Sequence, residues 1–258
     1  MRFGYFDDAR REYVITTPRT PLPWINYLGG GGHSGIISNT AGGTSFVGDP
    51  MHFRLLRYRI NSLPVDRPGR YLYVRDMDSG DYWSPSWQPT MKPLDRYECR
   101  HGLNVTRIAG ERSGIAVETT YFVPRDKDYE VWRVLVHNTG PALRRMRLFT
   151  YAEFSHHDAM LDLKAGWLPM CLTTTCRDDV VIFDPVVEAP SRLLTFFGAD
   201  APVQGYDCSL AAFVGPHRTE SNPMAVETGA CSNTDGVGEA GVAGLCYELN
   251  LSPGEKRS

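Results

Sequence analysis

Three consecutive segments between residues 114 and 154 constrain the fold of this chain more than any other feature. Segments 114–124 and 129–140 are rich in β-branched and aromatic residues and end in proline or glycine, a composition typical of strands bounded by turns. In segment 144–154 the apolar residues alternate with the others, the period of a strand with one buried face. These apolar residues are Met146, Leu148, Ala152 and Phe154. We therefore predict an antiparallel meander of three strands, with residues 125–128 as a hairpin loop.

The rest of the chain continues this pattern. The 25 glycines and 18 prolines are spread along its length, and no window of a dozen residues has a clear 3.6-residue apolar period. Residues 78–80 read as a hairpin turn, and segments 26–50 and 217–243 as long loops. The sequence thus predicts an all-β fold, a large many-stranded antiparallel β-sandwich that forms one domain over residues 1–258.

Composition excludes several classes of function. The net charge is −3, with no block of like charge, so neither a nucleic-acid groove nor a membrane patch is expected. The N-terminus lacks the pattern of a signal peptide, which favours the cytoplasm. Six cysteines without a Cys-x-x-Cys pair indicate free thiols rather than disulfides or a zinc site. We expect no metal and no cofactor.

Aromatic residues crowd the stretch "RPGRYLYVRDMDSGDYWSPSWQP" at residues 67–89. One interpretation is that Trp83 or Trp87 stacks on a sugar or forms a lid, because flat rings pack well on apolar sugar faces. The other is that both rings pack beneath the loop or against a following domain. Trp24, in "PLPWINYLG", is interpreted as a structural ring that pins a rigid loop.

The segment "SNTAGGTSF" at residues 38–46 has the composition of a binding loop. Two adjacent glycines free the backbone to approach a ligand or a partner chain closely. The candidate ligand-binding residues are Asn39, Thr44, Ser45 and Phe46. A plain β-turn explains the same composition, and both interpretations stay open.

Two further groups of polar residues are candidates. Arg100 has the charge and donors to bind a carboxylate, a phosphate or sugar hydroxyls, but we interpret it instead as half of a strand-end ion pair with Glu98 or Asp95. The pair His156-His157 resembles part of a metal site. Because adjacent strand residues point to opposite faces, we predict instead a solvent-exposed loop.

An ordered string of rare motifs carries a family resemblance. The motifs include "GYFDDARREYVITTPRTPLPWINYLG", "ISNTAGGTSF", "GDYWSPSWQP", "YECRHGL" and "NPMAVETGACSN". In this order they resemble the N-terminal β-sandwich domain of the cellobiose and chitobiose phosphorylases, glycoside hydrolase family ninety-four. The resemblance covers essentially the whole chain.

The resemblance implies a specific chemistry. Such enzymes cleave a β-linked disaccharide with inorganic phosphate as co-substrate, inverting the anomeric centre to give an α-sugar-1-phosphate and a sugar. It implies a chain truncated before a helical linker and an (α/α) barrel that holds the general acid and the phosphate site, so no catalytic residue is expected here. It also implies a cytoplasmic homodimer whose N-terminal loops help to shape the active site.

The resemblance leaves two points open, namely the acceptor sugar and the role of the domain. A Gln-Arg pair that contacts the acceptor in cellobiose-type members is missing from residues 158–172, which favours a chitobiose-type substrate over cellobiose. The alternative function is a free-standing carbohydrate-binding or dimerisation module.

Overall fold

Nearly all regular structure in the computed structural model is antiparallel β-strand, which confirms the all-β prediction. The structure describes residues 2–59, 66–164, 172–185 and 193–258. In chain order the strands are β1 (Gly4–Asp7), β2 (Glu12–Ile15), β3 (Ile25–Gly29), β4 (His33–Ser38), β5 (Gly43–Val47), β6 (Tyr71–Asp76), β7 (Tyr82–Trp83), β8 (Arg96–Gly102), β9 (Val105–Arg112), β10 (Ile115–Phe122), β11 (Val131–Asn138), β12 (Arg144–Tyr151), β13 (Leu172–Arg177), β14 (Val180–Pro185), β15 (Thr195–Phe197), β16 (Gly205–Ser209), β17 (Gly236–Val237), β18 (Gly241–Leu251) and β19 (Lys256–Arg257). The helices are α1 (Ala159–Lys164), α2 (Leu210–Val214) and α3 (Met224–Thr228).

The strands in the described part of the chain form four sheets. The largest has seven strands in the order β1-β2-β8-β9-β10-β11-β19, and a second has five in the order β16-β18-β12-β6-β7. Two smaller sheets follow, β15-β14-β13-β17 and β3-β4-β5. Two large sheets with smaller ones around them give the many-stranded sandwich that the turn-rich sequence predicts.

The predicted three-stranded meander is only partly right. β10 and β11 form the expected hairpin, in which Val117 lies opposite Val136. β12, however, leaves this sheet and pairs with β6 and β18 in the second one. The reason is burial, because Phe149 and Thr150, on opposite faces of β12, are both buried. A strand covered on both faces belongs in the interior of a sheet that is itself enclosed.

The two segments predicted as long loops contain regular structure, so that prediction is wrong. Segment 26–50 holds most of the three-stranded sheet, and its glycine run forms the turn between β3 and β4. Segment 217–243 contains α3, β17 and the start of β18. Glycine-rich strands hide their periodicity, since glycine has no side chain to mark a face.

The core lies on both sides of the five-stranded sheet. Leu72 and Val74 of β6 enter one apolar cluster, whereas Tyr71 and Tyr73 enter another. The predicted hairpin turn after β6 is confirmed by the pairing of β6 with β7. The five described cysteines are free thiols, as predicted, and Cys171 lies outside the described residues.

A buried ion pair joins the three-stranded sheet to the large one. Arg70, which is fully buried, donates to both carboxylate oxygens of Glu130 at 2.6 and 2.9 Å. It also donates to the backbone oxygens of Ile36 and Thr44. Burial alone would raise the pKa of Glu130, but Arg70 and then His33 outweigh it, and the pKa is lowered well below its usual value. The carboxylate therefore stays charged inside the fold.

Candidate functional site

A short extended segment at residues 53–57 fills the gap between β5 and the chain that follows β12. On one side Leu55 N–H donates to the Ser45 oxygen at 2.8 Å. On the other side Ser155 N–H donates to the Leu55 oxygen, and Arg57 N–H to the Glu153 oxygen, both at 2.9 Å. These bonds hold the segment like a strand and fix where the arginine side chains of residues 54–59 emerge.

Two of these arginines share one carboxylate. Arg54 and Arg57 each donate to Asp162 of α1, one to each oxygen, at 2.8 Å. Arg54 also donates to the Ser155 hydroxyl at 2.8 Å. Burial lowers the pKa of Arg54, while the charge of Asp162 opposes this shift. Asp162 thus bridges two guanidinium groups, and Asp158 is a further acid whose charge acts on Arg54.

A third arginine is paired with a buried acid. Arg59 donates to both oxygens of Glu153, at 2.6 and 2.8 Å, and Tyr151 hydrogen-bonds to the same carboxylate. Burial works to lower the pKa of Arg59, but Glu153 outweighs it and the pKa is raised. Burial, and then Glu153, raise the pKa of Tyr151 well above its usual value.

These groups border a cavity of about 280 Å³. Its walls are Arg54, Arg57, Tyr58, Arg59, Asp162 and Leu163. Guanidinium donors held by carboxylates, beside one tyrosine, are suited to binding hydroxyl-rich or anionic ligands.

The predicted binding loop lies behind this cavity rather than in its walls. The Thr44 hydroxyl donates to the Leu56 backbone oxygen at 2.7 Å. Phe46 and Arg54 are paired through their backbones as an isolated antiparallel β-bridge. Ser45 and Asn39 are buried, and Asn39 is bonded through its side chain to Trp24 N–H and the Pro18 oxygen. Thr44, Ser45 and Phe46 thus support the segment that carries the arginines.

The two glycines of that loop pack closely against other segments of the same chain. A Cβ added to Gly42 would lie 2.2 Å from the backbone oxygen of Asp66, and one added to Gly43 would lie 2.1 Å from the backbone oxygen of Ile36. Gly43 also has a φ of 124°, a region that side chains disfavour. In the described residues these close approaches are intramolecular.

The other predicted residues lie apart from the cavity walls. Trp83 is in the core with 3% of its surface exposed, and Trp87 is half-buried with the Arg19 guanidinium 5.7 Å above its ring. Trp24 is half-buried against Phe3 and Tyr13. These rings therefore do not form an exposed stacking platform.

Arg100 is engaged by acids of its own sheet. It donates to Glu98 at 2.6 Å and also contacts Asp7 and Glu12. These bonds, led by the one with Glu98, raise its pKa. The pairing with Glu98 is the structural alternative that the sequence offered, whereas Asp95 instead accepts from Ser113 N–H.

The sequence reasoning missed the residues that the structure brings together, namely Arg54, Arg57, Arg59, Glu153 and Asp162. A signal was present in "RLLRYR" at residues 54–59, where three arginines fall within six residues. Nothing in that pattern showed that their partners would come from a segment about a hundred residues later.

The prediction of a solvent-exposed loop at His156-His157 is wrong. Each histidine has only 3% of its surface exposed. The His156 ring accepts from Asp158 N–H, whereas neither ring nitrogen of His157 has a partner. The His157 ring lies edge-on to the Phe183 ring of β14, with 6.5 Å between the ring centroids. No group of three or more metal-binding side chains occurs within the described ranges.

Acidification is expected to destabilise the fold through His157. Burial, and then His156, lower its pKa, whereas an unfolded histidine takes up a proton near pH 6.5, at about its ordinary pKa. The unfolded state then binds more protons, so stability falls as the pH drops through about 6.5. We expect His157→Leu to flatten the pH dependence of the urea-unfolding free energy. Part of the pH dependence should remain in this variant, because burial also lowers the pKa of His101.

The exposed His217 provides the matched control. His217→Asn removes an imidazole that faces solvent and is expected to leave the pH profile unchanged. A His157→Leu profile as steep as that of the unmodified chain would show that His157 does not carry the effect.

None of the helices in the described residues is long and apolar enough to cross a membrane.

Comparisons with known proteins match the sandwich over almost its whole length. The glycosyl hydrolase 94 supersandwich domain matches residues 11–258. The N,N'-diacetylchitobiose phosphorylases of Vibrio proteolyticus and Vibrio furnissii are each 38% identical over 99% of this chain. A solabiose phosphorylase of Paenibacillus borealis is 30% identical over 98% of it. The chain spans about a third of the length of these curated relatives, 32% of each Vibrio protein and 33% of the Paenibacillus protein.

Proposed function

Because this chain belongs to the glycosyl hydrolase 94 supersandwich family, we propose that it is the non-catalytic N-terminal domain of an inverting disaccharide phosphorylase. The whole protein would convert a β-linked disaccharide and phosphate into an α-sugar-1-phosphate and a sugar. An inverting reaction needs an acid for the leaving oxygen and a nucleophile on the opposite face. We place that acid and the phosphate site outside residues 1–258, and we invoke no other cofactor.

The observation that carries the proposal is the match to the domain over residues 11–258, together with the arginine cavity. The three guanidinium groups at its edge, two of them on Asp162, are suited to hydrogen-bond sugar hydroxyls. We propose that this cavity forms one wall of the substrate site when the catalytic part of the protein is in place. Thr44, Ser45 and Phe46 hold that wall in position.

Two features favour a chitobiose-type substrate. The two diacetylchitobiose phosphorylases are 38% identical to the chain, against 30% for the solabiose enzyme. Residues 158–172 also lack the Gln-Arg pair expected of cellobiose-type members.

We further propose a cytoplasmic homodimer. Leu22, just before β3, is 69% exposed, and Ile25 and Tyr27 on the strand are 46% and 66% exposed. Such a strip of apolar side chains is typical of a surface that a partner covers. Either the partner subunit or the catalytic part of the protein would cover it.

The test is an assay of phosphate-dependent cleavage by the 258-residue chain. We expect no turnover of N,N'-diacetylchitobiose or cellobiose, because the acid lies elsewhere. Phosphate-dependent turnover by this chain would refute that assignment. Calorimetric titration with both sugars separates the alternative, since a free-standing carbohydrate-binding module binds one of them tightly and the proposed domain binds weakly or not at all.

A further inference from the structure

Two cysteines, Cys231 and Cys246, meet at one edge of the five-stranded sheet. Strands β16 and β18 pair there, and Gly205 of β16 lies directly opposite Cys246 of β18. Because glycine has no side chain, space is left on that face, and a Cβ added to Gly205 would lie 3.5 Å from Cβ of Cys231. Side chains directly opposite each other on paired strands are neighbours, with Cβ atoms about 5 Å apart. Cys231 therefore lies beside Cys246.

The two thiols interact directly. The hydrogen bond between them is the largest cause that lowers the pKa of Cys246 and raises the pKa of Cys231, and burial and the nearby Asp207 add to the rise at Cys231. Cys231 is thus the donor, and Cys246 is the sulfur that ionises first. The Cys231 sulfur also lies 3.8 Å from the backbone oxygen of Gly244, two residues before Cys246 on β18. A thiol in contact with a neighbouring thiolate is the starting arrangement for a disulfide.

A cavity of about 150 Å³ between α2, α3 and segment 230–232 leads to this pair. Cys231 is half-buried and lines the cavity, whereas Cys246 is buried with 2% of its surface exposed. The space is large enough for a molecule of the size of water or hydrogen peroxide. The other cysteines of the described residues do not line this cavity, and burial raises the pKa of each. They are Cys99, Cys176 and Cys208.

We propose that Cys231 and Cys246 form a reversible disulfide when the protein meets hydrogen peroxide. The Cys231 sulfur attacks one peroxide oxygen while its proton passes to the Cys246 thiolate. The O–O bond breaks, hydroxide leaves, and Cys231 becomes a sulfenic acid. The Cys246 sulfur then attacks the Cys231 sulfur, the S–O bond breaks, and the hydroxyl leaves with the Cys246 proton as water. The two sulfurs together lose two electrons, which the peroxide gains, and a thiol reductant reverses the reaction.

The disulfide would fasten the segment after α3 to the five-stranded sheet. It closes a loop from residue 231 to residue 246, which contains β17 and the first part of β18. Such a closure stabilises a fold by restricting the unfolded chain. Because the two side chains are already neighbours, we expect the oxidised chain to unfold at a higher urea concentration and dithiothreitol to restore the original midpoint. A disulfide that forms and breaks in this way acts as a sensor of oxidants.

The test is a peptide map of the folded 258-residue chain after exposure to hydrogen peroxide. Trypsin releases residues 219–256 as one peptide, which contains Cys231 and Cys246 and no other cysteine. When the chain is unfolded and treated with N-ethylmaleimide, we expect this peptide to take up none and to be lighter by two hydrogen atoms than its reduced form. After dithiothreitol it should take up two molecules. Cleavage of the oxidised peptide after Glu239 should leave the two pieces joined, which identifies the bond.

Two variants separate this pair from general thiol oxidation. Cys176→Ala removes a buried thiol that does not line the cavity, and as the control it should leave the cross-link unchanged. Cys246→Ser removes the thiolate that takes the proton, so Cys231 should keep its reaction with N-ethylmaleimide after the same exposure to peroxide. Circular dichroism checks that both variants fold.

Several results would overturn the proposal. The first is a peptide 219–256 that still takes up two molecules of N-ethylmaleimide after peroxide. The second is a cross-link that forms only when the chain is oxidised in urea, and the third is an oxidised chain that unfolds at a lower urea concentration than the reduced one. Rapid oxidation of Cys231 in Cys246→Ser would overturn the role of Cys246. The test uses no substrate, so its result is independent of the proposed function.

Discussion

Replacing Arg70 by methionine is expected to lower the free energy of unfolding by about 3–5 kcal/mol, the range for breaking a buried ion pair. Arg70 is fully buried and holds both oxygens of Glu130. The variant leaves that carboxylate charged without the Arg70 cation, and it removes the two hydrogen bonds that the guanidinium donates to the backbone oxygens of Ile36 and Thr44. Urea unfolding monitored by circular dichroism measures the loss.

The double variant Arg70→Met with Glu130→Leu distinguishes a lost ion pair from lost packing. It removes the stranded charge as well, so we expect it to recover a large part of the stability. Arg145→Met is the matched control, because Arg145 pairs with Asp78 at the surface with 62% of its side chain exposed. Its effect should stay below about 1 kcal/mol. If Arg70→Met also lowers the free energy of unfolding by less than about 1 kcal/mol, the buried ion pair of Arg70 and Glu130 does not stabilise the fold as described.

The second large effect is expected on substrate binding through Arg57. When this chain replaces the matching third of the Vibrio proteolyticus enzyme, Arg57→Leu should raise the KM for the disaccharide by about tenfold, the loss expected for a hydrogen bond to a charged group. Stability should change little, because Asp162 keeps its bond to Arg54. Initial rates over a range of disaccharide concentrations give the KM, and urea unfolding checks the fold.

Arg145→Leu in the same hybrid protein is the control for loss of a surface arginine and should leave the KM unchanged. An unchanged KM in Arg57→Leu would remove the arginine cavity from the substrate site. A fall in kcat alone would assign Arg57 to the reaction step rather than to binding.

The sequence predicted the fold class well because the strands of the large sheet alternate clearly. In β10 the buried residues Ile115, Val117 and Tyr121 are spaced by the strand period. The position of β12 was not predictable in the same way. Its residues 148–151 are buried on both faces, so alternation no longer identifies a partner sheet, and pairing with β6 and β18 depends on contacts distant in sequence.

The candidate site was less predictable than the fold. The polar residues of segment 38–46 looked like ligand contacts, but both Asn39 and Ser45 are buried. The Asn39 side chain hydrogen-bonds inside the domain, and the Ser45 backbone oxygen accepts from Leu55 N–H. The arginines at 54, 57 and 59 are held together at one cavity only by their ion pairs with Asp162 and Glu153, which lie about a hundred residues away in sequence. The prediction that His156 and His157 lie in an exposed loop failed because the sequence does not show how tightly a connection is packed.

The most direct test of the central claim is whether this chain can serve as the supersandwich domain of a working phosphorylase. The measurement is sugar-1-phosphate formation from N,N'-diacetylchitobiose by the hybrid protein that joins residues 1–258 to the remaining two thirds of the Vibrio proteolyticus enzyme. We expect turnover that requires phosphate, and none from the 258-residue chain by itself. A folded hybrid without turnover, or cleavage by the isolated chain, would contradict the assignment.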